Sequence, residues 1–340
     1  MLQDPIAIPA DDPSRAGEVR RAAVALATKL GFDETDQGRV ALVATELTTN
    51  LIKHAAGGEV VLRSLPVGDG GGVEFLALDR GPGMADIGQC LRDGFSTTGT
   101  AGAGLGAIRR MSDLFDVYSL PASGTALVAR IQRRPTEHTL PAPHLPAGAV
   151  CLALAGEEVC GDAWALEPSP GRIAILLVDG LGHGMPAATA AREAVRIFRA
   201  NARMAPADLL GALHTALRPT RGAAGAVAVI DFTTRILTFA GVGNIAGAII
   251  GPTGRQGLVS LSGTLGHEVR KVRAFDYPWP PGATLVMHSD GLGTQWDIGR
   301  YPGLATRHPA LVAGILYRDF RRVRDDVTVV VVRAPEGELS

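Results

Sequence analysis

"ILLVDGLGHGMPAATAA", residues 175–191, runs an apolar strand into Asp179, follows it with Gly180, Gly182, His183 and Gly184, and then opens an alanine-rich helix. A buried strand ordinarily ends in a turn that hides nothing, whereas this one ends by presenting a carboxylate. Other acids stand in the same relation to apolar runs: Asp162 in EEVCGDAW, Asp290 at the end of ATLVMHSD, and Asp325 with Asp326 just before VTVVVVR. Four such points, distant in sequence, can converge at one end of a pair of sheets. Carboxylates gathered that way repel one another unless cations lie between them. Oxygen-only donors suit Mg²⁺ or Mn²⁺, and the lack of paired Cys or His ligands argues against zinc. Gly180 lets a backbone carbonyl turn inward as a further ligand. Two such ions hold the attacking and leaving oxygens of a phosphate ester, so the pattern points to metal-assisted hydrolysis. Each acid taken singly would serve as well as a turn or cap, Asp162 most of all.

At 340 residues the chain is longer than one hydrophobic core usually supports, so two domains are expected. Hydrophobic residues make up 46% and charged residues 20%, with a net charge of −1, which describes a compact protein without the basic face that nucleic acid requires. Cys90, Cys151 and Cys160 match no zinc knuckle, redox pair or disulfide framework, which fits a reducing cytoplasm. The start, MLQDPIAIPADDPSR, has acids and prolines where a signal peptide needs a basic start and an apolar core. No apolar run reaches the roughly 20 residues of a membrane span. A soluble, cytoplasmic protein that meets neither membrane nor nucleic acid is expected.

The stretch RIQRRPTEHTLPAPHLPAG, residues 130–148, is dense in proline and lacks either apolar period, so it reads as an extended connector. Domains are therefore expected at 1–133 and 148–340, joined by 134–147. Helical patterns at about 14–31 and 35–56, then strand-like runs EVVLRSLPV, VEFLALD, FDVYSL and TALVARIQ, predict an α/β sandwich with helices on one side of one sheet. After the connector, runs such as VCLALAG, RIAILLVD, GAVAVIDF, RILTFAGVG and AGAIIG dominate. Helical patterns at about 184–203, 206–217 and 308–322 interrupt them, predicting two sheets layered between helices.

In RVALVATELTTNLIKHA, residues 39–55, Val40, Val43, Leu47 and Leu51 form a core-facing stripe. Glu46, Asn50 and His54 follow at i, i+4 and i+8 and share a face at its edge. A carboxylate and an amide one turn apart can hold a metal ion or orient a hydroxyl; they can equally be a water-facing edge. LDRGPGM ends a strand in Asp79, with Gly81 and Gly83 placed to let backbone approach a ligand. GFSTTGTAGAGLGAIRRM then sets Gly99, Gly102, Gly104 and Gly106 before a helix, an arrangement whose amides favour phosphate.

These three boxes, over roughly residues 5–133, resemble the GHKL ATP-binding fold of histidine kinases, gyrase and Hsp90, and most nearly the RsbT-like anti-sigma-factor serine kinases. The resemblance implies that Asn50 ligates Mg²⁺, that Asp79 accepts from the adenine amino group, that Gly102, Gly104 and Gly106 form the phosphate lid, and that Glu46 orients the attacking hydroxyl. The short lid and the lack of a preceding phosphoacceptor helix favour a serine kinase. The ordered set GD, DGxGHG, SDG and DDxT, over roughly 148–334, resembles the type 2C (PPM) metal-dependent protein phosphatases, nearest the SpoIIE-like bacterial branch with its small RsbX-like members. That implies an αββα sandwich whose metal shell is Asp162, Asp179, the Gly180 carbonyl, Asp290 and Asp325, with Asp326 in support. His183 is left between donating toward the substrate phosphate and capping the helix at Gly184. SDGLGTQW lacks the acid that often follows this motif, and the short run from Asp290 to Asp325 leaves little room for a flap.

Together the resemblances imply a bifunctional stress or sigma-factor switch that phosphorylates and dephosphorylates a serine or threonine on a STAS-domain antagonist or scaffold, with ATP, Mg²⁺ and Mn²⁺ as cofactors and a sigma-factor regulator as a further partner. Two rivals stand beside it: an ATP-binding module that only sequesters a partner, fused to an active phosphatase, and a phosphatase half reduced to a scaffold.

Overall fold

The computed structural model describes residues 5–55, 57–65, 71–91, 104–133 and 147–333. The chain divides into two compact units. One comprises residues 1–145 with Ile298–Arg318, and the other 146–297 with Asp319–Ser340. The segment 298–318, which in sequence lies between Asp290 and Asp325, thus groups with the first unit. No helix of the described residues is long and apolar enough to cross a membrane.

The first unit begins with β1 (Ile6–Pro9), α1 (Ser14–Lys29), α2 (Glu34–His54), β2 (Gly58–Leu65) and β3 (Gly72–Asp79), and continues with α3 (Ile87–Cys90), α4 (Gly104–Met111), β4 (Leu114–Leu120) and β5 (Gly124–Gln132). Asp33 caps α2 by accepting from Asp36 N at 2.7 Å, which satisfies one of the free amides of the first turn. The stripe Val40, Val43, Leu47 and Leu51 is buried as its spacing requires, and it meets Phe75, Ala77, Leu127 and Ile131 from a five-stranded sheet of order β1-β2-β3-β5-β4. Burying a side chain of this size is worth roughly 1.5–3 kcal/mol. All pairings in this sheet are antiparallel. Arg63, Glu74 and Arg130 stand directly opposite one another on β2, β3 and β5. Both guanidiniums donate to Glu74, at 2.5 and 2.6 Å. Burial would raise the Glu74 carboxyl, but the two arginines outweigh it and hold it at about 2.

The second unit holds two sheets. The first contains β7 (Asp162–Ser169), β8 (Arg172–Gly180), β9 (Ala223–Asp231), β10 (Ile236–Val242) and β13 (Ser260–Leu261) in the order β13-β10-β9-β8-β7, with β14 (Ala274–Pro278) also paired to β10. The second contains β6 (Ala147–Leu152), β11 (Ala246–Gly251), β12 (Gly254–Leu258), β15 (Thr284–His288) and β16 (Val327–Arg333) in the order β12-β11-β15-β16-β6. Helices α5 (Gly184–Asn201) and α6 (Pro206–Ala216) cover one face of the first sheet, where Ala191, Ala194, Phe198 and Leu210 pack on Leu176 and Val178. Ile173, Ile175 and Leu177, on the other face of β8, are buried too. Burial on both faces is why residues 173–178 read as one unbroken apolar run. The third helix of this sequence region, α7 (Pro309–Phe320), lies mostly in the segment that groups with the first unit. The architecture is the expected α/β class.

Five strands were not anticipated from sequence: β1, β7, β12, β13 and β14. β7 carries Pro168 and sits at a sheet edge, the position where a missing amide is tolerated. β12 reads GRQGL and is polar and mostly exposed, so no apolar alternation marks it.

Candidate functional site

In the first unit, Glu46 and Asn50 lie half-buried on α2, on the face their spacing assigns, and His54 is exposed at the helix end. Asn50 Nδ2 is buried without a hydrogen-bond partner among the described residues, a costly condition for an amide. Asp79 ends β3, and its Oδ1 accepts from Gly81 N at 2.7 Å and Thr125 N at 3.1 Å. Burial raises its carboxyl, against those two amides and the nearby Arg318. Arg318 Nη1 also donates to the Asp79 carbonyl at 2.6 Å, and the Arg80 guanidinium donates to the Arg318 carbonyl.

Gly81 and Gly83 permit close approach, but the approach is to protein. A Cβ on Gly81 would stand 2.8 Å from Ala55 Cα, where the chain leaves α2, and one on Gly83 would stand 2.3 Å from Leu120 O. On these sides the two glycines seat the Asp79 turn against α2 and β4. Gly104 opens α4 and Gly106 is buried within it, while Gly99 and Gly102 lie outside the described residues. Arg39 on α2 donates twice to Met111 O, at 3.1 and 2.8 Å, and so ties the end of α4 to α2.

The second unit assembles its site from parts far apart in sequence. Asp162 and Asp179 are direct partners across β7 and β8. A cavity of about 520 Å³ opens at that end of the sheet, with Asp179, Asp290, Asp325, His183, Asn244 and Arg324 in its wall. Asp162 lies behind this wall, buried, and accepts from Ser289 Oγ at 2.6 Å; Ser289 Oγ in turn accepts from Thr328 N at 3.0 Å. Asn244 Nδ2 donates to Asp290 Oδ2 at 2.7 Å.

Electrostatics bind these acids into one group. Burial, then the charges of Asp162 and Asp290, push Asp179 up to about 9. Burial likewise lifts Asp162 to about 7, against the Ser289 hydroxyl. Asp325 is raised by burial and then by Asp290, with which it shares a hydrogen bond. Such a wall holds protons tightly because it favours positive charge, and its acids offer only oxygen donors, which fits a hard divalent cation. Among the described residues no three Asp, Glu, His or Cys side chains close into a ready cation cage; the acids ring an open pocket.

The DD pair divides its work. Asp326 is buried and accepts from Leu154 N at 2.6 Å and Gly161 N at 2.8 Å, so it braces two backbone segments, while Asp325 faces the cavity. Gly180 is buried, and a Cβ there would meet Ala187 O at 2.3 Å, so the residue lets α5 seat on the end of β8. His183 occupies the N-cap position of α5, but its ring makes no capping bond; instead Nδ1 pairs with Glu157 Oε1 at 2.5 Å. Glu157 and Asn244 were not singled out from sequence, since only the fold brings them to the acids; Ser289 belongs to the SDG motif, but its bond to Asp162 is visible only in the fold.

The family model "Stage II sporulation protein E (SpoIIE)" matches residues 169–335, and "Histidine kinase-like ATPase domain" matches residues 9–131. The chain carries a histidine kinase-like ATPase domain and a SpoIIE domain, and through its likeness to RsbT it belongs to the first of these families. Its ATPase-type domain is 36% identical over 104 residues to the serine/threonine-protein kinase RsbT of Bacillus subtilis (strain 168), covering 31% of this chain and 78% of that protein. Its SpoIIE domain is 24% identical over 138 residues to the phosphoserine phosphatase RsbX of the same organism, covering 40% of this chain and 69% of that one. A solved chain from work on the bacterial stressosome, described as a modular system adapted to control secondary messenger signaling, matches with a TM-score of 0.52 at 27% identity, over 55% of this chain and 98% of that one.

Proposed function

We propose that the chain is a bifunctional switch: its ATPase-type domain transfers phosphate from ATP to a serine or threonine of a STAS-domain antagonist, and its SpoIIE domain removes phosphate from the same or a related protein. The observation that carries the reading is the convergence of Asp179, Asp290 and Asp325 on one cavity, with Asp162 paired to Asp179 behind them. Likeness to a kinase and to a phosphatase within one chain supports a shared target, because two unlinked and opposed activities would only waste ATP.

In the SpoIIE domain, Asp179, Asp290, Asp325 and the Gly180 carbonyl would hold Mg²⁺ or Mn²⁺, with Asp162 as the buried member of the shell. Bound cations would neutralise the phosphate and make its attacking water more acidic. Asn244 keeps Asp290 oriented toward the cavity. Ser289 gives its one proton to Asp162 and so fixes that carboxylate. His183, with Nδ1 held by Glu157, presents Nε2 as the proton donor to the departing seryl oxygen.

In the ATPase-type domain, Asn50 would hold the Mg²⁺ of Mg·ATP, Asp79 would accept from the adenine amino group, and Gly104 and Gly106 with the preceding loop would cover the phosphates. Glu46, one turn before Asn50, takes the proton of the attacking hydroxyl. Phosphoryl transfer asks chiefly for such positioning and charge neutralisation.

Incubation with labelled ATP and a purified STAS-domain protein tests both halves. Label should reach the STAS protein, accumulate with Asp290→Asn, and fail to appear with Glu46→Ala. No label on the STAS protein with the parent chain or with Asp290→Asn would leave the ATPase-type domain only a binding role.

A further inference from the structure

Six large apolar side chains are exposed among the described residues; one of them lines the SpoIIE-domain cavity and two more lie within two residues of lining positions. Leu181, 44% exposed, lines the cavity; Met185, 57% exposed, lies in the first turn of α5 two residues after cavity-lining His183; Val323, 80% exposed, directly precedes cavity-lining Arg324. Single exposed apolar residues are ordinary, but three so near the lining of one cavity offer apolar area that gains from being covered. Cations share this rim. Arg324 is exposed in the cavity wall, and the exposed Arg221 runs along the Asp179 loop, where a Cβ on Gly182 would lie 3.2 Å from its Nη1.

We propose that this mouth is a docking surface for a protein segment in which the phosphorylated serine or threonine is flanked by apolar residues. The inference rests on the phosphatase reading and adds a substrate class to it. Charge complementarity sets the polar part: a phosphate dianion passes Arg324 and Arg221 on its way to the acid wall, where cations would receive it. The apolar part follows from what a small phosphoester lacks. A free sugar or nucleotide phosphate has nothing to lay on Leu181, Met185 and Val323, whereas side chains on either side of a phosphoserine reach outward to such a rim. Removing those side chains from water strengthens binding before the chemical step, so the preference should appear mainly in KM.

The test uses the full chain with Mg²⁺ and three probes: a phosphoserine decapeptide with Leu and Val on either side of the phosphoserine, the same peptide with Gly and Ser there, and p-nitrophenyl phosphate. The apolar-flanked peptide should be favoured about tenfold in kcat/KM over the polar one. The double variant Met185→Ser with Val323→Ser should cut that preference below about threefold, and Arg324→Ala should raise KM for both peptides alike. Both rim positions of the double variant are exposed, so the fold should tolerate polar residues there. Equal turnover of the two peptides by the parent chain, or a preference that survives the double variant, overturns the docking surface and leaves the phosphatase reading intact. Absence of metal-dependent phosphate release from all three probes removes both.

Discussion

The two candidate sites are built in opposite ways. In the ATPase-type domain the residues of interest come in short local clusters: Glu46 and Asn50 one turn apart on α2, and Asp79 with Gly81 and Gly83 in one turn after β3. In the SpoIIE domain no two acids of the cavity wall are sequence neighbours; Asp179, Asp290 and Asp325 meet only because β8, β15 and β16 end at the same place. A site written on one helix tolerates changes in the sheet behind it so long as that helix stays seated. A site written across strand ends exists only when the sheets are in register.

Their charges differ in the same sense. The buried charges of the first unit are already balanced, with Glu74 between Arg63 and Arg130. Those of the second are of one sign, with their protons held tightly. The largest expected effect in the molecule tests the balanced set. Glu74→Gln removes the carboxylate to which both guanidiniums donate and should cost the first unit roughly 3–5 kcal/mol. Calorimetry should show the transition of the first unit falling while that of the SpoIIE domain stays near its parent temperature; coincident falls would break the picture of two separately balanced units.

Next in size is the one-signed set. Asp290→Asn should lower phosphate release on the order of 10²–10³-fold, the usual result of removing one group from a charge-stabilising constellation. Calorimetric titration of the same variant should show weaker Mg²⁺ binding, and its label transfer from ATP should persist. A smaller effect separates proton donation from cation chemistry. His183→Ala should slow phosphoserine release about 10²-fold while changing p-nitrophenyl phosphate turnover far less, because nitrophenolate leaves without help from an acid. Glu157→Gln should follow the same pattern at about a tenth of the size. Equal losses on both substrates would return His183 to a structural role.

How much of this was legible in the sequence follows from the same contrast. The stripe Val40, Val43, Leu47 and Leu51 carries its own period, so α2 and the face bearing Glu46 and Asn50 could be placed without coordinates. Asp162, Asp179 and Asp290 stand out because each is an acid beside a glycine at the edge of an apolar run, and Asp325 because it is doubled with Asp326 just before one. The Arg63–Glu74–Arg130 triad gave no such sign, for it depends on the registers of three strands drawn from residues 58–132. Glu157 was invisible for the same reason, being 26 residues from its histidine. Asp325 and Asp326 are neighbours that no local pattern separates, and only the fold shows the backbone amides of Leu154 and Gly161 donating to Asp326. Local pattern thus reveals which residues are chemically unusual, and register decides what they touch.

The smallest predicted effect sets the two units against each other through pH. Glu74 is held at about 2 in the folded chain, below its ordinary value of 4.5, so its contribution is present above pH 4.5 and is lost as pH falls toward 2. Asp179 runs the other way: held at about 9 instead of 3.8, it binds a proton more tightly folded than unfolded, so stability drains away as pH rises toward 9. His288, buried and held at about 4, loses its own contribution only below its ordinary 6.5, so it does not move between pH 7 and 9. With a chelator present, the SpoIIE-domain transition should therefore drop by several degrees from pH 7 to pH 9 while that of the first unit holds. Millimolar Mg²⁺ should reverse the drop at pH 9 and do less at pH 5, where protons already occupy the acid wall. A Mg²⁺ response of equal size at both pH values would mean that cation and proton do not compete, and that Asp179 does not face the ion.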